Sequence, residues 1–221
     1  MNIDFSNYKP LNGCHVFRSL ISCYRNVFAD SPWNEWLKCN VCGKYWGKKD
    51  KETLKSSGFR HCGQKLKLFW PHNTVHQDLI HEITESASCW LARESQKVIG
   101  FCWGYPIDLQ LLEEKLEISF VSKLQEILGV DGGTVAYQDD IGVLPEHRGQ
   151  KIAKKLFLHR HSDFIKKGLK TALVRTRELP EPSVTYNWFV EKLGYHIVKR
   201  YPDGDGRVIL AQSLDIINEL V

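Results

Sequence analysis

Residues 134–168, TVAYQDDIGVLPEHRGQKIAKKLFLHRHSDFIKKG, change their hydrophobic period part of the way along. Before Leu144 apolar residues alternate with small or polar ones, as in a half-buried strand, and Asp139 is the exception. After Gln150 the period becomes helical, and Gly168 can end the helix. The stretch therefore predicts a strand, a short turn and a helix whose apolar stripe consists of Ile152, Ala153, Leu156, Phe157 and Phe164.

The turn between this strand and this helix is positively charged and contains Pro145, Arg148 and Gly149. The N-terminus of a helix presents unpaired backbone N–H groups and the positive end of the helix dipole. Full charges are added there by Arg148, Lys151, Lys154 and Lys155. Together these features predict a binding site for a polyphosphate.

Residues 143–153, VLPEHRGQKIA, resemble the acetyl-CoA signature of the GNAT N-acetyltransferases, in which a strand ending in Val is followed by P-E-x-R-G-x-G-I-G/A. Residues 191–195, EKLGY, are similar to the family's E-K-L-G-F, and the resemblance extends over residues 75–215. Lys151 departs from the signature, which has glycine there so that the backbone can approach the pyrophosphate. Lys151 therefore either contacts the coenzyme through its side chain or weakens binding.

The resemblance implies an α/β (α+β) protein with the GNAT acyl-CoA N-acyltransferase fold, a mixed central sheet flanked by helices. It also implies that the central strand bulges and splays from its parallel neighbour near residues 141–143. The freed backbone N–H groups would bond the pantetheine amides and the thioester oxygen. Acetyl-CoA is the implied cosubstrate, and the residues expected to bind it are Ile141, Gly142, Val143, Arg148, Gly149, Gln150, Lys151, Ile152, Ala153 and Ser183.

The implied reaction is direct attack of a primary amine on the thioester, which requires an unprotonated amine. Asp139 is the first candidate base, because burial among apolar neighbours would disfavour its charged form. Asp140 is the second candidate, because a bulge would reverse the side of the strand on which each aspartate lies. The alternative is that both aspartates are solvated or cap a loop. Many family members protonate the departing thiolate with a tyrosine at the position of Val190. Tyr186, one helical turn earlier, could replace it or could be a core aromatic.

The seven cysteines fall into two groups. Three of them belong to a pair of half-sites, a C-x-x-C-G knuckle at Cys39 and Cys42 and a second half-site at Cys62. The second half-site resembles the C-x-x-C-G-x-x-L end of a zinc ribbon, with Phe59 at the place of its first cysteine. The other cysteines stand singly among apolar neighbours, which predicts buried free thiols at Cys14, Cys23, Cys89 and Cys102.

A structural Zn²⁺ takes four ligands, so the three thiolates need a fourth. His61 is the nearest candidate, and His72 and His76 are the alternatives. A redox-active cysteine pair and a degenerate, metal-free loop are the other interpretations of the cysteines.

The loop between the half-sites has too few aliphatic residues to fold around its own core, so zinc would have to hold it. We therefore expect residues 39–70 to be an inserted zinc-ribbon-like module. Residues 1–38 would be the N-terminal helices of the acetyltransferase domain, and residues 71–221 its core. The module's lysines could contact nucleic acid, but a solvated charged face is the favoured interpretation of Lys48, Lys49, Lys51 and Lys55.

Two further segments concern the acceptor substrate, because in the family the first helices line its side of the site. Residues 15–28 have the spacing of an amphipathic helix, and Asp30 can begin a second short helix that carries Trp33 and Trp36. These tryptophans either cover the acceptor groove or pack in the core. Residues 108–128 read as one or two helices where the family usually has a short link, so we expect this elaboration to shape the acceptor pocket.

The composition is that of an ordinary globular protein of 221 residues with a net charge of +4. The sequence contains neither a signal-peptide pattern nor an apolar run long enough for a membrane span, which predicts a cytoplasmic protein. We expect acetyl-CoA and an amine acceptor, either a small molecule or a protein amine, as partners. Neither nucleic acid nor a membrane is expected as a partner, and a homodimer is left open.

The sequence thus predicts an acetyl-CoA-dependent N-acetyltransferase with a structural zinc module and an unidentified acceptor. The first rival is a catalytically weak or inactive protein that binds acyl-CoA and interacts through its zinc ribbon, which Val190 and Lys151 favour. The second rival is a modifier whose ribbon docks on RNA or DNA.

Overall fold

The structure is a computed structural model that describes residues 3–9, 14–179, 182–202, 204 and 206–220, without the side chains of Cys14 and residues 218–220. Its strands are Asp4–Asn7 (β1), Leu37–Lys38 (β2), Tyr45–Trp46 (β3), Arg60–His61 (β4), Gln64–Lys65 (β5), Lys67–Leu68 (β6), Ser88–Glu94 (β7), Lys97–Asp108 (β8), Thr134–Val143 (β9), Thr171–Arg177 (β10), His196–Arg200 (β11) and Arg207–Ser213 (β12). Its α-helices are Cys14–Phe28 (α1), Lys51–Ser56 (α2), His72–Glu82 (α3), Leu109–Leu116 (α4), Val121–Leu128 (α5), Ile152–Lys166 (α6), Val184–Asn187 (α7) and Leu214–Leu220 (α8).

Seven of the strands form one mixed sheet in the order β1-β7-β8-β9-β10-β12-β11. β9 and β10 are parallel, whereas β1 with β7, β10 with β12 and β12 with β11 are antiparallel. This arrangement of a mostly antiparallel central sheet with helices confirms the predicted fold class. None of the helices in the described ranges is both long and apolar enough to cross a membrane.

The fold consists of two compact units. The first takes its described residues from Met1–Glu85, Trp90–Cys102 and Ile141–Leu156, and the second from Ser86–Cys89, Trp103–Asp140 and Phe157–Val221. Strand β1, which pairs with β7 from Asp4↔Arg93 to Asn7↔Trp90, was not expected from the sequence.

Helix α1 of the first unit confirms the amphipathic helix predicted for residues 15–28, since Leu20, Cys23 and Val27 are all buried. The second helix predicted after Asp30 is wrong. Asn34 adopts a left-handed backbone with φ 57°, and the N–H of Trp36 donates to the carbonyl of Trp46 (2.9 Å). The chain enters the strand pairing of β2 and β3 there, so its backbone groups are not available to a helix.

A small module in the first unit consists of the sheet β3-β2-β6, the hairpin β4-β5 and helix α2. Its buried residues are Leu37, Cys39, Leu54 and Leu66, with Trp36, Trp46 and Phe59 packed around them. The loop between the half-sites contributes Leu54 to this cluster, and the other buried residues, Leu37, Cys39 and Leu66, lie outside that loop. Aromatic rings supply the apolar surface that the scarce aliphatic residues do not, as in the edge-on contact of Trp36 with Phe59 at 6.0 Å.

In the second unit, the predicted elaboration at residues 108–128 consists of the two helices α4 and α5. The side chain of Asp108 caps α4 by accepting from the N–H of Gln110 at 2.9 Å and of Leu111 at 3.4 Å. Both helices bury their apolar sides in a cluster with the sheet, which is why they fold as helices rather than as a loop. The cluster includes Leu109, Leu112, Leu116, Leu124, Tyr137 and Leu173. Helix α8, which buries Leu214 and Ile217, was not expected from the sequence.

Candidate functional site

The turn after β9 has the backbone of an anion site. A single 3-10 turn at Pro145–His147 leads to Gly149 and Lys151, whose φ angles are 78° and 60°, and α6 follows. The N–H of Lys155 makes the first helical bond, to the carbonyl of Lys151 (3.1 Å). The N–H groups at Ile152, Ala153 and Lys154 therefore precede any helical partner and can bond an anion. Lys151 is at the N-cap position of α6, and its side chain has no hydrogen-bond acceptor for these N–H groups.

Left-handed backbone explains the preference for glycine in this turn. At Gly149 a Cβ would meet nothing within 4 Å, so conformation rather than space makes glycine suitable there. At Lys151 the same left-handed conformation is held by a residue with a Cβ, at a cost of about 1 kcal/mol. The departure from the signature is thus accommodated at the cost of backbone strain.

Arg148 is bonded to the protein itself. Its Nε donates to the carbonyl of Val143 (3.2 Å) and its Nη1 to the carbonyl of Ser31 (2.9 Å). Arg148 thus holds the turn against the loop after α1. It also adds a positive charge to the turn.

Gly142 has a packing role that its sequence position did not indicate. A Cβ there would lie 2.6 Å from the ring of Phe101 and 2.8 Å from Val27, so a larger residue would displace the core of the first unit. Ile141 is half-buried and Val143 is buried. The polar groups of residues 141–143 are therefore their backbone N–H and carbonyl groups.

The parallel ladder between β9 and β10 is short. It pairs Ala136 with Ala172, Leu173 with Tyr137 and Gln138 with Val174, whereas β9 continues to Val143 and β10 to Arg177. The two strands therefore stop pairing beyond Gln138, before residues 141–143, where the family resemblance implies a bulge and a splay. Backbone groups of β9 beyond this point are released from the parallel ladder.

A buried arginine lies where the strands separate. Arg160 is 1% exposed; its Nη1 donates to the carbonyls of Trp103 (2.7 Å) and Asp140 (3.0 Å), and its Nη2 donates to Oε1 of Gln138 (2.6 Å). Reasoning from the sequence missed this residue. The available signal was a charged side chain at helical spacing within the apolar stripe of α6, between Leu156 and Phe164.

The candidate base Asp139 has polar partners rather than only apolar neighbours. Its carboxylate is 10% exposed, and its Oδ2 accepts from the hydroxyl of Tyr105 (2.8 Å) and from Nζ of Lys115 (3.1 Å). The same Nζ lies over the rings of Tyr105 (5.0 Å) and Tyr137 (5.6 Å). The carboxylate of Asp139 is thus held by a hydroxyl group and by an ammonium group of the same unit. Asp140 is half-buried, and its backbone carbonyl is one of the acceptors of Arg160.

Tyr186 is held by an ion pair. Its hydroxyl donates to Oε1 of Glu178 (2.9 Å), and Arg200 donates to both oxygens of the same carboxylate, at 2.6 and 2.9 Å. Burial and the hydrogen bond to Glu178 raise the pKa of Tyr186, while the bond from Arg200 lowers the pKa of Glu178. The phenol therefore keeps its proton at neutral pH.

The helix that carries Tyr186 begins as the sequence predicts. The Oγ of Ser183 accepts from the N–H of Tyr186 (3.0 Å), which confirms the predicted N-cap. That Oγ also shares a hydrogen bond with Thr176 (2.9 Å). Beyond Asn187 the helix widens into a π-helical turn at Trp188–Lys192, which includes Val190.

The module brings together four side chains of kinds that can bind a metal, Cys39, Cys42, His61 and Cys62, whose ligand atoms all lie within 4.8 Å of one another. Nδ1 of His61 is 3.5 Å from Sγ of Cys42 and 3.2 Å from Sγ of Cys62. Ligand atoms at 2.1 and 2.3 Å from a tetrahedral Zn²⁺ would be about 3.6 Å apart. The cluster thus has both the donor set and the size of a zinc site.

The alternative ligands lie outside this cluster. The rings of His72 and His76 stack on each other at 6.4 Å, and His76 packs on Phe17 at 5.0 Å.

The thiols of the cluster differ in acidity. A hydrogen bond with His61 lowers the pKa of Cys39 to about 6, whereas hydrogen bonding with Cys42 and burial raise the pKa of Cys62 to about 11. Cys23, Cys89 and Cys102 are buried as predicted, and the side chain of Cys14 lies outside the described residues. Burial raises the pKa of Cys23, which keeps it protonated and unreactive.

Two of the four lysines singled out in the module have partners within the protein. Lys48 donates to Oδ1 of Asn26 (2.5 Å), and Lys55 pairs with Glu52 (2.7 Å).

A sequence model of the acetyltransferase (GNAT) family matches residues 58–195, more than half of the chain. The protein therefore belongs to the GNAT family of acetyltransferases. A search among curated proteins found no match.

Solved structures with the same fold share little sequence with this chain. PaiA N-acetyltransferase from Thermoplasma acidophilum, in complex with coenzyme A, is 13% identical over 96% of this chain and 99% of its own, with a TM-score of 0.53. Arylalkylamine N-acetyltransferase 2 from Aedes aegypti is 13% identical over 97% and 100%, with a TM-score of 0.56. An aminoglycoside 6'-N-acetyltransferase complexed with coenzyme A is 11% identical over 96% and 97%, with a TM-score of 0.53.

Proposed function

We propose that this protein transfers the acetyl group of acetyl-CoA to a primary amine. The observation that carries the proposal is the turn at Gly149 and Lys151, where left-handed backbone leads into a helix whose first N–H groups have no helical acceptor. A diphosphate is the kind of anion that such a turn binds. The family supports acetyl-CoA as its source, and two of the structural neighbours are complexes with coenzyme A.

The coenzyme would be bound largely by backbone. We assign the diphosphate to Gly149 and residues 150–153, with the charge of Arg148 nearby. We assign the pantetheine amides and the thioester oxygen to the N–H groups of residues 141–143, beyond the end of the parallel ladder. Loss of one N–H donor to a developing oxyanion typically costs about 100-fold in rate. Ser183 stays a candidate contact for the coenzyme.

Asp139 is proposed as the base. It would take a proton from the acceptor ammonium, and the neutral amine would then attack the thioester carbonyl. Asp140, which is half-buried, is the second choice, because a bulge in β9 would reverse which of the two aspartates faces the acceptor.

Tyr186 is the candidate acid for the thiolate. Its raised pKa means that it has a proton to donate, although it must release Glu178 to do so. A thiolate, with a thiol pKa of about 8.5, leaves without such help, so we expect the contribution of Tyr186 to be small.

We also propose that Cys39, Cys42, His61 and Cys62 hold a structural Zn²⁺ in an inserted module, residues 39–70. The support is the donor set and the distances between its atoms. Zinc bound there would fix both half-sites of the module to each other, alongside the small core around Leu54.

The test of the transferase activity is release of the CoA thiol in the presence of grouped amines, followed by mass measurement of the acetylated product. Asp139→Asn should reduce the rate by roughly 100-fold or more, the usual contribution of a positioned base. Asp140→Asn is the matched control and should reduce it less. Binding of acetyl-CoA without turnover of any amine would favour the rival function of an acyl-CoA-binding protein, which the strained Lys151 also favours.

A further inference from the structure

Four groups in the second unit form a site for a primary ammonium ion. A carboxylate (Asp139), a hydroxyl (Tyr105) and two aromatic faces (Tyr105 and Tyr137) surround one point. A carboxylate supplies charge and a hydrogen-bond acceptor, a phenol supplies a second acceptor, and the ring faces attract cations. These are the contacts that an amine in its protonated form requires.

The protein's own Lys115 occupies this site. Its Nζ lies 3.1 Å from Oδ2 of Asp139, 5.0 Å from the ring centre of Tyr105 and 5.6 Å from that of Tyr137, and it donates to the Tyr105 hydroxyl. Lys115 is in the last turn of α4, which is fixed by its buried residues Leu112 and Leu116. The backbone that carries this amine is therefore held by packing, and the amine is directed at the proposed base.

We infer that Lys115 is an internal acetyl acceptor, so that the protein acetylates itself at this side chain when acetyl-CoA is present without another amine. The inference rests on the proposed function, because it uses Asp139 as the base of that reaction. Lys115 has the chemistry of the acceptor, a primary alkylamine, and it already contacts the base. Its side chain is 35% exposed, so it is not sealed from the coenzyme by burial.

The step is balanced with acetyl-CoA as the sole co-reactant. Asp139 takes one proton from the Lys115 ammonium and passes it to solvent, and the neutral amine attacks the thioester carbonyl carbon. The C–N bond forms and the C–S bond breaks. The second nitrogen proton goes to the departing sulfur, which gives N-acetyl-lysine and free CoA thiol.

Acetylation would change the site it occurs in. The amide has no charge, so it loses both the ion pair with Asp139 and the attraction to the two tyrosine rings. The carboxylate would then be available to an external ammonium. Self-acetylation at Lys115 would thus convert an occupied acceptor site into a free one.

The experiment incubates the 221-residue protein with acetyl-CoA alone and maps the acetylated lysines by peptide mass spectrometry. Lys123 is the internal control, because it is on α5 of the same elaboration, is 47% exposed and pairs with the surface residue Glu126. Random chemical acetylation would favour the more exposed Lys123. We expect Lys115 to be modified faster than Lys123 by roughly 100-fold, the contribution of a positioned base.

Three variants complete the test. Lys115→Arg keeps the charge but cannot be acetylated in this way. Acetylation at position 115 should therefore be lost in this variant. Asp139→Asn should slow modification of Lys115 to the rate of Lys123. Lys123→Arg should leave modification of Lys115 unchanged, and thermal melting would confirm that each variant is folded.

Equal acetylation of Lys115 and Lys123, or the same Lys115 rate in Asp139→Asn, would overturn the inference. If external amines release CoA thiol while Lys115 stays unmodified, self-acetylation is wrong and the proposed function stands. If calorimetry shows no binding of acetyl-CoA at all, the proposed function fails together with the inference.

Discussion

Nδ1 of His61 lies 3.2 Å from Sγ of Cys62, although the two residues are adjacent in sequence. Adjacent side chains rarely reach the same point, because an extended chain directs them to opposite sides. Here β4 ends at His61, and Cys62 and Gly63 form a two-residue turn with φ angles of 47° and 75°. Two successive left-handed residues reverse the chain tightly, as in a type I′ hairpin. The turn thus brings the side chains of both neighbours to one point, as the proposed zinc site requires.

If His61 is the fourth ligand, His61→Ala should lower the zinc content of the purified protein, as should Cys42→Ser, because a structural site needs four ligands. His72→Ala is the matched control, since His72 is an exposed histidine that stacks on His76 outside the cluster. Metal would be measured by elemental analysis. Equal zinc in His61→Ala and the parent protein, or loss of zinc in His72→Ala, would contradict the assignment.

The diphosphate site proposed at Gly149 predicts that two residues of the same shape have different effects at this position. Gly149→Asp places a negative charge beside the expected diphosphate, whereas Gly149→Asn has the same shape and tolerates left-handed backbone. Like charges in contact cost several kcal/mol, so we expect Gly149→Asp to weaken acetyl-CoA binding by roughly 100-fold or more relative to Gly149→Asn. Titration calorimetry measures both affinities. Similar affinities would place the diphosphate elsewhere.

Backbone strain at Lys151 predicts that glycine stabilises the protein there. Lys151→Gly removes the strain of a left-handed backbone at a residue with a Cβ, which is up to about 1 kcal/mol. This strain corresponds to roughly 2–4 °C in melting temperature for a chain of this size. Gln150→Gly is the control: the left-handed residues of this turn are Gly149 and Lys151, so glycine at 150 only adds entropy to the unfolded chain. A lower melting temperature for Lys151→Gly than for Gln150→Gly would show that Lys151 makes a contact worth more than the strain.

The small core of the module predicts unequal effects for two leucines. Leu54 is 5% exposed within the cluster, whereas Leu68 is 40% exposed on β6. Leu54→Ala should therefore destabilise the module by about 2–3 kcal/mol and Leu68→Ala by much less. Resistance of the proposed zinc to a chelator would report the stability of the module. Equal resistance in the two variants would mean that metal alone holds the segment.

The buried His161 predicts acid sensitivity. It is 4% exposed and stacks on Phe157, and burial followed by repulsion from Arg160 lowers its pKa. The unfolded chain, in which the pKa is about 6.5, then binds more protons than the folded one, so stability is lost as the pH falls from that value through the lowered folded pKa. Each unit of lowering contributes about 1.4 kcal/mol.

His161→Phe keeps the stacked ring without a titrating group, and urea unfolding at several pH values between 7 and 5 measures the difference. The variant should lose less stability than the parent protein over this interval. Parallel losses in both proteins would assign the acid sensitivity to other groups.

The sequence was most informative where a single element has a clear hydrophobic periodicity of its own. Residues 134–168 contain a strand and a helix with separate hydrophobic patterns, and the family signature lies between them, so β9, the turn and α6 could be predicted. The N-cap at Ser183 was predictable for the same reason, because it depends on residues three apart.

Features that depend on distant partners could not be predicted. The short strand β1 becomes a strand only by pairing with β7, more than eighty residues later. Asn34 takes a left-handed backbone where a helix was expected, because Trp36 pairs with Trp46. Lys115 belongs to α4 and Asp139 to β9, and the hydrophobic pattern of one element does not indicate its contacts with the other. Their contact requires the packing of α4 on the sheet.

The buried guanidinium of Arg160 has a consequence for the interior of the second unit. An arginine keeps its proton at any pH at which the protein is folded, whereas a desolvated lysine would become neutral. The carbonyl of Asp140 and the amide of Gln138 therefore experience a fixed positive potential that neither acidity nor ligand occupancy can switch off. Chemistry that builds up negative charge near this point would proceed in a field set permanently by the fold.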